Sequence, residues 1–299
     1  MFSKNVTISL KNLSDKIHIE PLGDIHIGHV GFDEDHYKAR IKAIVKDPNR
    51  YTFFMGDQLD AINIYDKRYN RDSVPIPEID DQRQKWQNLT QPLIDEHMKR
   101  CEQKTIDVQT LEIINGKKKL VTNQQKIWTL KKGQNPKIWG LLHGNHEYKI
   151  REITRTYLEN HFCYPNGIDF LGAKAYMFLD IKHKGITKAN YNIMAMHGSG
   201  GGKPETLLHQ MQQKNYMDIF FCGHVHRKYY TSEIAYDAND TRDGVWERET
   251  HHANTGTFCR AMSEGVSGYM DTKNQVIGTP IGTCTISIDI ANNKVNGHV

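Results

Sequence analysis

Five short apolar runs in this chain of 299 residues are each followed, within two residues, by an aspartate, asparagine or histidine. In chain order, the blocks that follow the runs are Asp24-Ile25-His26, Gly56-Asp57-Gln58-Leu59-Asp60, Gly144-Asn145-His146-Glu147, His197-Gly198 and Gly223-His224-Val225-His226. Short apolar runs that end in glycine or polar residues are typical of buried strands. Parallel strands point their carboxyl ends at one edge of an α/β sheet, where such sheets place their ligand sites. We therefore expect Asp24 and Asp57 to meet.

Periodicity along the chain predicts a mixed α/β fold. Residues 17–22 and 51–55 are predicted strands on either side of a helix that Asp33 caps and Pro48 ends. Further helices are predicted at residues 78–100, 147–162 and 204–214. Further strands are predicted at residues 6–10, 137–143, 176–181, 190–196, 218–222 and 279–290, with a turn at residues 182–189. Together these segments fit one α/β domain that spans residues 1–299.

The connection at about residues 61–137 is long enough to be an insertion in that domain. It begins with a polar loop and a helix, and its last part is a predicted β-hairpin in which residues 105–114 and 119–130 flank Asn115-Gly116. From Lys99 to Lys137 the chain holds ten basic residues and three acidic ones, a net charge of +7. This basic hairpin is a candidate contact for nucleic acid, while a solvated hairpin or a self-association surface is an equally good interpretation.

Composition narrows the class of protein. With 38% apolar residues the chain can bury a large core, and its net charge of +4 suits phosphate-bearing substrates without indicating a nucleic-acid coat. The five cysteines form no C-x-x-C pair, which favours a reducing, cytoplasmic location over a disulfide framework or a zinc knuckle. No run of about 18 apolar residues occurs, so we expect no membrane partner.

The five blocks, in this order and each after a predicted strand, resemble the calcineurin-like metallophosphoesterase superfamily. The resemblance covers about residues 17–290, and its specificity lies in the blocks themselves. It implies a four-layer α/β/β/α sandwich, made of two mixed sheets with outer helices. It also implies a phosphoric ester hydrolase that works through a dinuclear metal centre.

The resemblance assigns seven side chains as ligands of two divalent transition-metal ions. One ion would take Asp24, His26, Asp57 and His226, and the other would take Asp57, Asn145, His197 and His224. Seven nitrogen and oxygen ligands are too many for one tetrahedral zinc and suit a pair of ions that share the Asp57 carboxylate. Manganese is the first choice, with iron, zinc or nickel as alternatives that ligand type does not separate.

His146 and Asp60 are the candidate catalytic residues. If Asn145 binds a metal, the adjacent His146 points elsewhere and is available to protonate the leaving oxygen or to stabilise the transition state. The spacing of Asp57, Asp60 and the G-N-H-E block resembles phosphoprotein phosphatases, in which the second aspartate orients the catalytic histidine. This chain has Ala61-Ile62 where those enzymes have Arg-Gly, which argues against protein phosphatase activity.

These features favour a metal-dependent phosphodiesterase that hydrolyses a nucleotide or nucleic-acid diester. The first block resembles that of double-strand-break repair nucleases, but their G-N-H-D is G-N-H-E here, so nuclease, cyclic-nucleotide and lipid-type diesters all stay open. The alternatives are a phosphomonoesterase acting on nucleotides or proteins, and a catalytically silent scaffold of the same fold. The glycine-rich segment at residues 198–202 fits a phosphate contact or a plain turn. The physiological substrate, native metal and oligomeric state also stay open.

Overall fold

The computed structural model describes residues 2–114, 117–154, 157–199, 203–212, 216–238, 244–260 and 280–299. Over these ranges the chain is a mixed α/β protein with two large sheets, a separate two-stranded hairpin and few helices. The strands are β1 (Phe2–Leu10), β2 (Lys16–Ile19), β3 (Arg50–Phe54), β4 (Cys101–Ile114), β5 (Lys117–Leu130), β6 (Ile138–Leu141), β7 (Lys174–His183), β8 (Ile186–Met196), β9 (Ile219–Cys222), β10 (Lys228–Ala238), β11 (Val245–Thr255), β12 (Thr285–Asp289) and β13 (Lys294–His298). The helices are α1 (Glu34–Lys46), α2 (Ile79–Met98), α3 (Asn145–Thr154), α4 (Leu158–His161) and α5 (Pro204–Gln212).

Both large sheets contain a parallel set of strands. The first sheet has the order β1-β7-β8-β9-β11-β10, and the second has the order β13-β12-β2-β3-β6. In the first sheet β8, β9 and β11 run parallel, and in the second sheet β2, β3 and β6 do so. The five strands that precede the ligand blocks all belong to these parallel sets. Each set therefore directs its strand ends, with their polar side chains, to one edge of its sheet.

The two large sheets share one apolar cluster. Phe53 and Trp139 come from the second sheet, while Met177, Ile193 and Phe221 come from the first, and all five are fully buried. The Phe53 ring stacks on Trp139 at a centroid distance of 6.2 Å and meets Phe221 edge-on at 5.4 Å. Each such side chain stabilises the fold by about 1.5–3 kcal/mol on burial, so the contact between the sheets is a main source of stability.

The helices pack on the sheet faces that point away from this shared cluster. Successive strand residues point to opposite faces, and Phe54, next to Phe53, lies in a second cluster with α1 and α2. There Trp86 of α2 meets Phe54 edge-on at 5.4 Å. In the first sheet Phe220, next to Phe221, lies in a third cluster with residues of α5. Each large sheet thus has apolar side chains on both of its faces.

Several predicted elements are confirmed within a few residues. The helix predicted after Asp33 begins at Glu34 and ends at Lys46, just before Pro48. The Asp33 side chain caps it by accepting a hydrogen bond from His36 N at 3.1 Å. The predicted hairpin strands are β4 and β5, which pair in an unbroken antiparallel register.

Two local predictions are wrong. The turn predicted at residues 182–189 is a tight reversal at Lys184-Gly185, where φ values of 50° and 79° let β7 and β8 continue on either side. The helix predicted at residues 147–162 is interrupted, because Tyr157 has extended backbone and α4 begins only after it. The predicted hairpin turn at Asn115-Gly116, glycines 200–202, residues 155–156 and 213–214, and Thr279 lie outside the described ranges.

The predicted insertion contains one part that packs on the body and one part that does not. Helix α2 contributes Trp86 and Leu93 to the second cluster. Strands β4 and β5 instead pair only with each other among the described residues. At the base of this hairpin, Trp128 lies directly against Gly167. With 14 residues in each strand, the hairpin is about 45 Å long at the usual rise of a β-strand.

The hairpin is less basic than the residue count indicates. Lys137 is fully buried at the start of β6, where its ammonium group donates to the Asp47 carbonyl and burial lowers its pKa to about 8. Arg100 is paired with Glu96 at 2.9 Å on the side of the body. The exposed lysines with described side chains along the two strands are Lys104, Lys118, Lys119 and Lys126. Of these, Lys104 is paired with Glu102 at 3.0 Å.

All five cysteines are buried free thiols. None of the described helices is long and apolar enough to span a membrane.

Candidate metal centre

The five blocks lie at the carboxyl ends of five strands and converge on one site. Asp24 and His26 follow β2, Asp57 and Asp60 follow β3, Asn145 and His146 follow β6, His197 follows β8, and His224 and His226 follow β9. Main-chain hydrogen bonds connect neighbouring loops, with Asp24 N donating to Gly56 O at 3.0 Å and Gly223 N to His197 O at 3.0 Å. Asp24 therefore lies beside the loop of Asp57, as expected.

The backbone of these loops is strained at the positions of the ligand-type residues. Left-handed φ values between 49° and 68° occur at Asp24, His26, Asp57, Ala61, His224 and His226. This conformation costs a non-glycine residue about 1–3 kcal/mol and persists only where the surroundings enforce it. The only other non-glycine residues with positive φ in the described ranges are Lys184 and Asn293, which lie in turns outside the five blocks. The strain is thus concentrated where polar side chains are directed into one site.

Three glycines permit the close approach of these loops. A Cβ atom on Gly144 would lie 2.0 Å from Asp57 Oδ1, and one on Gly56 would lie 2.4 Å from Gly144 N. On Gly223 it would lie 2.8 Å from Asp24 Oδ2. Each of these distances is shorter than a non-bonded contact of a Cβ atom can be. The three glycines, which directly precede Asp57, Asn145 and His224, are therefore a steric requirement of the site.

The first group of ligand-type side chains contains Asp24, His26 and His226. His226 Nε2 lies 3.2 Å from Asp24 Oδ1 and 3.0 Å from His26 Nε2. All three residues are buried. The main-chain amide of His224 donates to both carboxylate oxygens of Asp24, at 2.9 and 3.1 Å, and so fixes the orientation of that carboxylate.

The second group contains Asp57, His197 and His224. His197 Nε2 lies 3.0 Å from Asp57 Oδ2, and the other ring nitrogen, Nδ1, donates to the Met55 carbonyl at 2.8 Å. That hydrogen bond orients the imidazole and directs Nε2 into the site. His197 Nε2 is also 4.0 Å from Asp24 Oδ1, so the two groups adjoin each other.

The electrostatics of the two groups favour a positive charge between them. Burial raises the pKa of Asp57, but His197 and His146 more than offset this and leave it well below its usual value. The pKa of Asp24 is also lowered, because His197 and His226 outweigh burial. Burial lowers the pKa of His197, but the two carboxylates raise it to about 10. Two ionised carboxylates therefore draw a proton onto one imidazole, and a metal cation would satisfy the same demand.

The donor set fits transition-metal ions. In each of two groups, Asp24-His26-His226 and Asp57-His197-His224, the ligand atoms lie within 4.8 Å of one another. The Asn145 side-chain oxygen is buried and accepts no hydrogen bond from the part of the chain that is described. A buried amide oxygen without a partner is costly, so this atom has capacity for a ligand. Combined imidazole and carboxylate donors suit manganese, iron, zinc or nickel.

His146 and Asp60 lie against the first group. His146 Nδ1 is hydrogen-bonded to the main-chain carbonyl of Asp60, and it lies 4.0 Å from the Asp60 carboxylate. That carboxylate is closer to His26, with Oδ1 3.1 Å from His26 Nδ1. Burial raises the pKa of Asp60, against the opposing effect of His146. Asp60 thus contacts His146 through its main-chain carbonyl and His26 through its carboxylate.

Sequence reasoning assigned no role to Glu147, whose side chain joins two loops of the site. Its carboxylate accepts hydrogen bonds from four main-chain amides: Asp57 at 2.8 Å, Gln58 at 2.6 Å, Leu59 at 3.2 Å and Gly144 at 3.0 Å. Glu147 therefore joins the loop after β3 to the loop after β6. The available signal was its place in the G-N-H-E block, since an acid in the first turn of α3 can reach preceding amides.

Two further supporting residues lie at the end of β11 and two residues after it. Thr257 Oγ1 donates to the main-chain oxygen of Asp24 at 2.7 Å. The Asn254 side chain donates to Gly223 O at 3.2 Å. These contacts hold the first and last blocks together.

Two other features of the chain, His29 and Gly198, lie near the site. His29 is outside the two groups, and its Nδ1 accepts a hydrogen bond from Gly31 N at 2.9 Å. Gly198 has a φ of 98° and lines an open cleft beside His197. The remaining glycines of that segment, 200–202, are outside the described residues.

A comparison of the chain with models of known protein families finds no match, and a comparison with curated proteins finds none either.

Proposed function

We propose that this protein is a metal-dependent phosphodiesterase with a dinuclear metal centre, of the calcineurin-like metallophosphoesterase type. The observation that carries the proposal is the convergence of two adjoining groups of carboxylates and imidazoles from four strand ends, all buried except the partly exposed His224, with Asn145 and His146 coming from a fifth strand end. The strained backbone at five of these residues supports it, since such strain is characteristic of functional sites.

The proposal includes the architecture of the fold. A four-layer α/β/β/α sandwich accounts for the apolar cluster that both large sheets share. It also accounts for the clusters on the opposite faces, which hold residues of α1 and α2 on the second sheet and residues of α5 on the first. The site lies where the parallel sets of the two sheets end.

We assign the metal ligands by the two groups. Asp24, His26 and His226 would hold one ion, and Asp57, His197 and His224, together with Asn145, would hold the other. We propose that the Asp57 carboxylate is shared, because it lies 3.0 Å from His197 of the second group and also counteracts the lowering of the pKa of His26 in the first group. Two bound ions supply Lewis acidity for the phosphoryl oxygens and an activated water.

The chain itself supplies the proton for the leaving group. In our proposal His146 is the general acid, because Asp60 O holds its Nδ1 and leaves Nε2 to donate to the departing oxygen. The His146 ring packs edge-on against His26 at a centroid distance of 4.8 Å, which restricts its rotation. The Asp60 carboxylate acts one step further out, since it orients the His26 ring.

The residues at positions 61 and 62, Ala61 and Ile62, favour a diester substrate over a monoester. Both side chains are buried, at 5% and 2% exposure, and they occupy the positions at which the phosphoprotein phosphatases carry Arg-Gly. A phosphate monoester brings about one more negative charge than a diester at neutral pH. Without a guanidinium group at that position, this site has less positive charge with which to bind the additional negative charge.

The test compares hydrolysis of bis-p-nitrophenyl phosphate and p-nitrophenyl phosphate by manganese-loaded protein. We expect metal-stimulated hydrolysis with the higher kcat/KM on the diester. The Asp57→Asn variant, checked for folding by circular dichroism, should lose both rates. Folded, metal-loaded protein that hydrolyses neither ester would overturn the assignment as a hydrolase. A higher kcat/KM on the monoester would overturn the preference for diesters.

A further inference from the structure

An open cleft adjoins the metal centre on the side of Asn145 and His197. It encloses about 1320 Å³, including its open mouth. Three cationic side chains, Lys149, Arg151 and Lys174, line it together with these two site residues. Lys149 and Arg151 lie on α3, just after Asn145, and Lys174 begins β7. The cleft is therefore positively charged close to the proposed ligands.

A second cavity continues the first. Phe2 and Phe170 line both, and their rings meet edge-on at a centroid distance of 5.6 Å. The second cavity encloses about 690 Å³ and extends to Tyr164. Tyr148, in the first cavity, is 55% exposed, Phe2 is 44% exposed and Tyr164 is 60% exposed. A continuous groove thus leads from the metal centre past several exposed aromatic rings.

Adjacent exposed aromatic rings beside cations require an explanation, because soluble proteins seldom leave large apolar surfaces together unless they bind something. Single-stranded nucleic acid is recognised by this combination: bases stack on aromatic rings while a basic groove follows the phosphates.

We infer that this groove binds a single strand of nucleic acid and leads one of its phosphodiesters to the metal centre. The inference rests on the proposed function, since it assigns the scissile bond to that centre. The phosphates lie along Lys149, Arg151 and Lys174, and unpaired bases stack on Tyr148, Phe2 and Tyr164. A paired duplex is excluded from this binding mode, because its base faces are already stacked within the helix.

The far end of the groove lies close to the β4–β5 hairpin. Tyr164 begins a short 3-10 helix that ends at Asn166, and the next residue, Gly167, is in contact with Trp128 at the base of the hairpin. Lys126 is two residues from Trp128 on β5 and therefore projects from the same face of the hairpin. A strand longer than the groove would reach this part of the hairpin.

Binding is measured by fluorescence anisotropy on the full chain, with a labelled single strand that has a phosphorothioate backbone and so resists hydrolysis. The first variant carries Lys149→Gln, Arg151→Gln and Lys174→Gln. Its control carries Lys42→Gln, Lys46→Gln and Lys188→Gln, the same charge change at exposed positions elsewhere. We expect the slope of log K against log salt to become shallower by about 2 in the first variant alone, since each phosphate contact on a single strand contributes about 0.7.

A second pair of variants tests stacking. Tyr164→Ala should weaken binding about tenfold, the usual effect of losing one stacked base, whereas Tyr164→Phe should bind like the unchanged protein. Tyr216→Ala, at a ring that is 79% exposed and outside the groove, is the control. Equal effects of groove and control variants would overturn the inference. So would stronger binding of a duplex, a mononucleotide or anionic lipid vesicles than of the single strand.

Hydrolysis of bis-p-nitrophenyl phosphate, measured in parallel, separates this inference from the proposed function. Protein that cleaves the small diester but shows no groove-dependent binding overturns the inference only. Protein that binds the strand through the groove but hydrolyses no ester overturns the proposed function instead.

Discussion

The loops of the candidate metal centre and the β4–β5 hairpin differ in how their conformation is fixed. In the loops, glycines, side-chain carboxylates and main-chain hydrogen bonds all restrict the same few residues, and six of these residues are held in a strained backbone. In the hairpin, the described strands form a hydrogen-bonded ladder with each other and with no other strand, and Leu111 and Leu120 are each 62% exposed. A two-stranded hairpin is at best marginally stable alone. Removing one contact should therefore matter greatly in the loops and little in the hairpin.

The largest effect is expected for Asp57→Asn. The amide keeps the shape of the side chain but removes the charge that faces His197 and offers only one oxygen in place of two, so we expect loss of both metal ions and of activity. Elemental analysis after saturation with manganese measures this directly. Finding one ion or none in the unchanged protein would contradict the dinuclear assignment.

His146→Ala should keep both ions and lower kcat by about 10²–10⁴-fold, the usual contribution of a positioned acid or base. Asp60→Asn should lower kcat less, because the carbonyl that holds His146 Nδ1 is unchanged by that substitution. Steady-state kinetics combined with metal analysis distinguishes the two variants. An Asp60→Asn enzyme with unchanged rate and pH profile would refute a role for that carboxylate.

A matched pair of substitutions, one in the loops of the candidate metal centre and one in the hairpin, compares how much each region contributes to stability. The substitution in the loops is Glu147→Gln. A glutamine can accept hydrogen bonds through one oxygen only, and its NH₂ group would face amides that also donate, so the free energy of unfolding should fall by roughly 3 kcal/mol. Glu102→Gln on β4 is the matched control. Its side chain is 43% exposed and pairs with Lys104, so a change below about 0.5 kcal/mol is expected. Urea unfolding measures both, and equal losses would show that the contrast between the regions is mistaken.

The smallest effect is expected in the hairpin lysines. Changing Lys118, Lys119 and Lys126 to Gln should make the salt dependence of binding shallower for a long single strand and leave a short strand unaffected, because only a long strand extends beyond the groove. Fluorescence anisotropy, measured with a long and a short single strand at several salt concentrations, tests this prediction. No change with the long strand would leave the hairpin without a role in substrate binding, and equal weakening of both would indicate damaged folding.

The general position of the site was predictable from sequence for a simple reason. A short buried strand followed by glycine and a polar residue is a local pattern, and parallel pairing then brings such ends together. The four amides held by Glu147 were not predictable, because they belong to two loops about 90 residues apart in the chain. The contact of His146 with the Asp60 carbonyl was not predictable either, because residue spacing indicates a side-chain partner and carries no information on main-chain groups.

The errors in secondary structure have a related cause. The tight reversal at Lys184-Gly185 depends on two left-handed residues, and lysine at the first position gives no signal of this conformation.

The basic charge assigned to the hairpin was overestimated, because Lys137 is buried and Arg100 is paired with Glu96. In both cases the sequence gives the residue type but not the environment that determines its conformation or charge.

The Glu147 carboxylate has a consequence for local motion. Four amide protons, those of Asp57, Gln58, Leu59 and Gly144, are bound to this one group. Withdrawal of the carboxylate would release all four together, so their hydrogen–deuterium exchange should report the same free energy of opening. The loops after β3 and β6 would then open as one cooperative unit. Asp57 and Asn145, the proposed metal ligands on these two loops, would therefore become ordered or disordered in the same event.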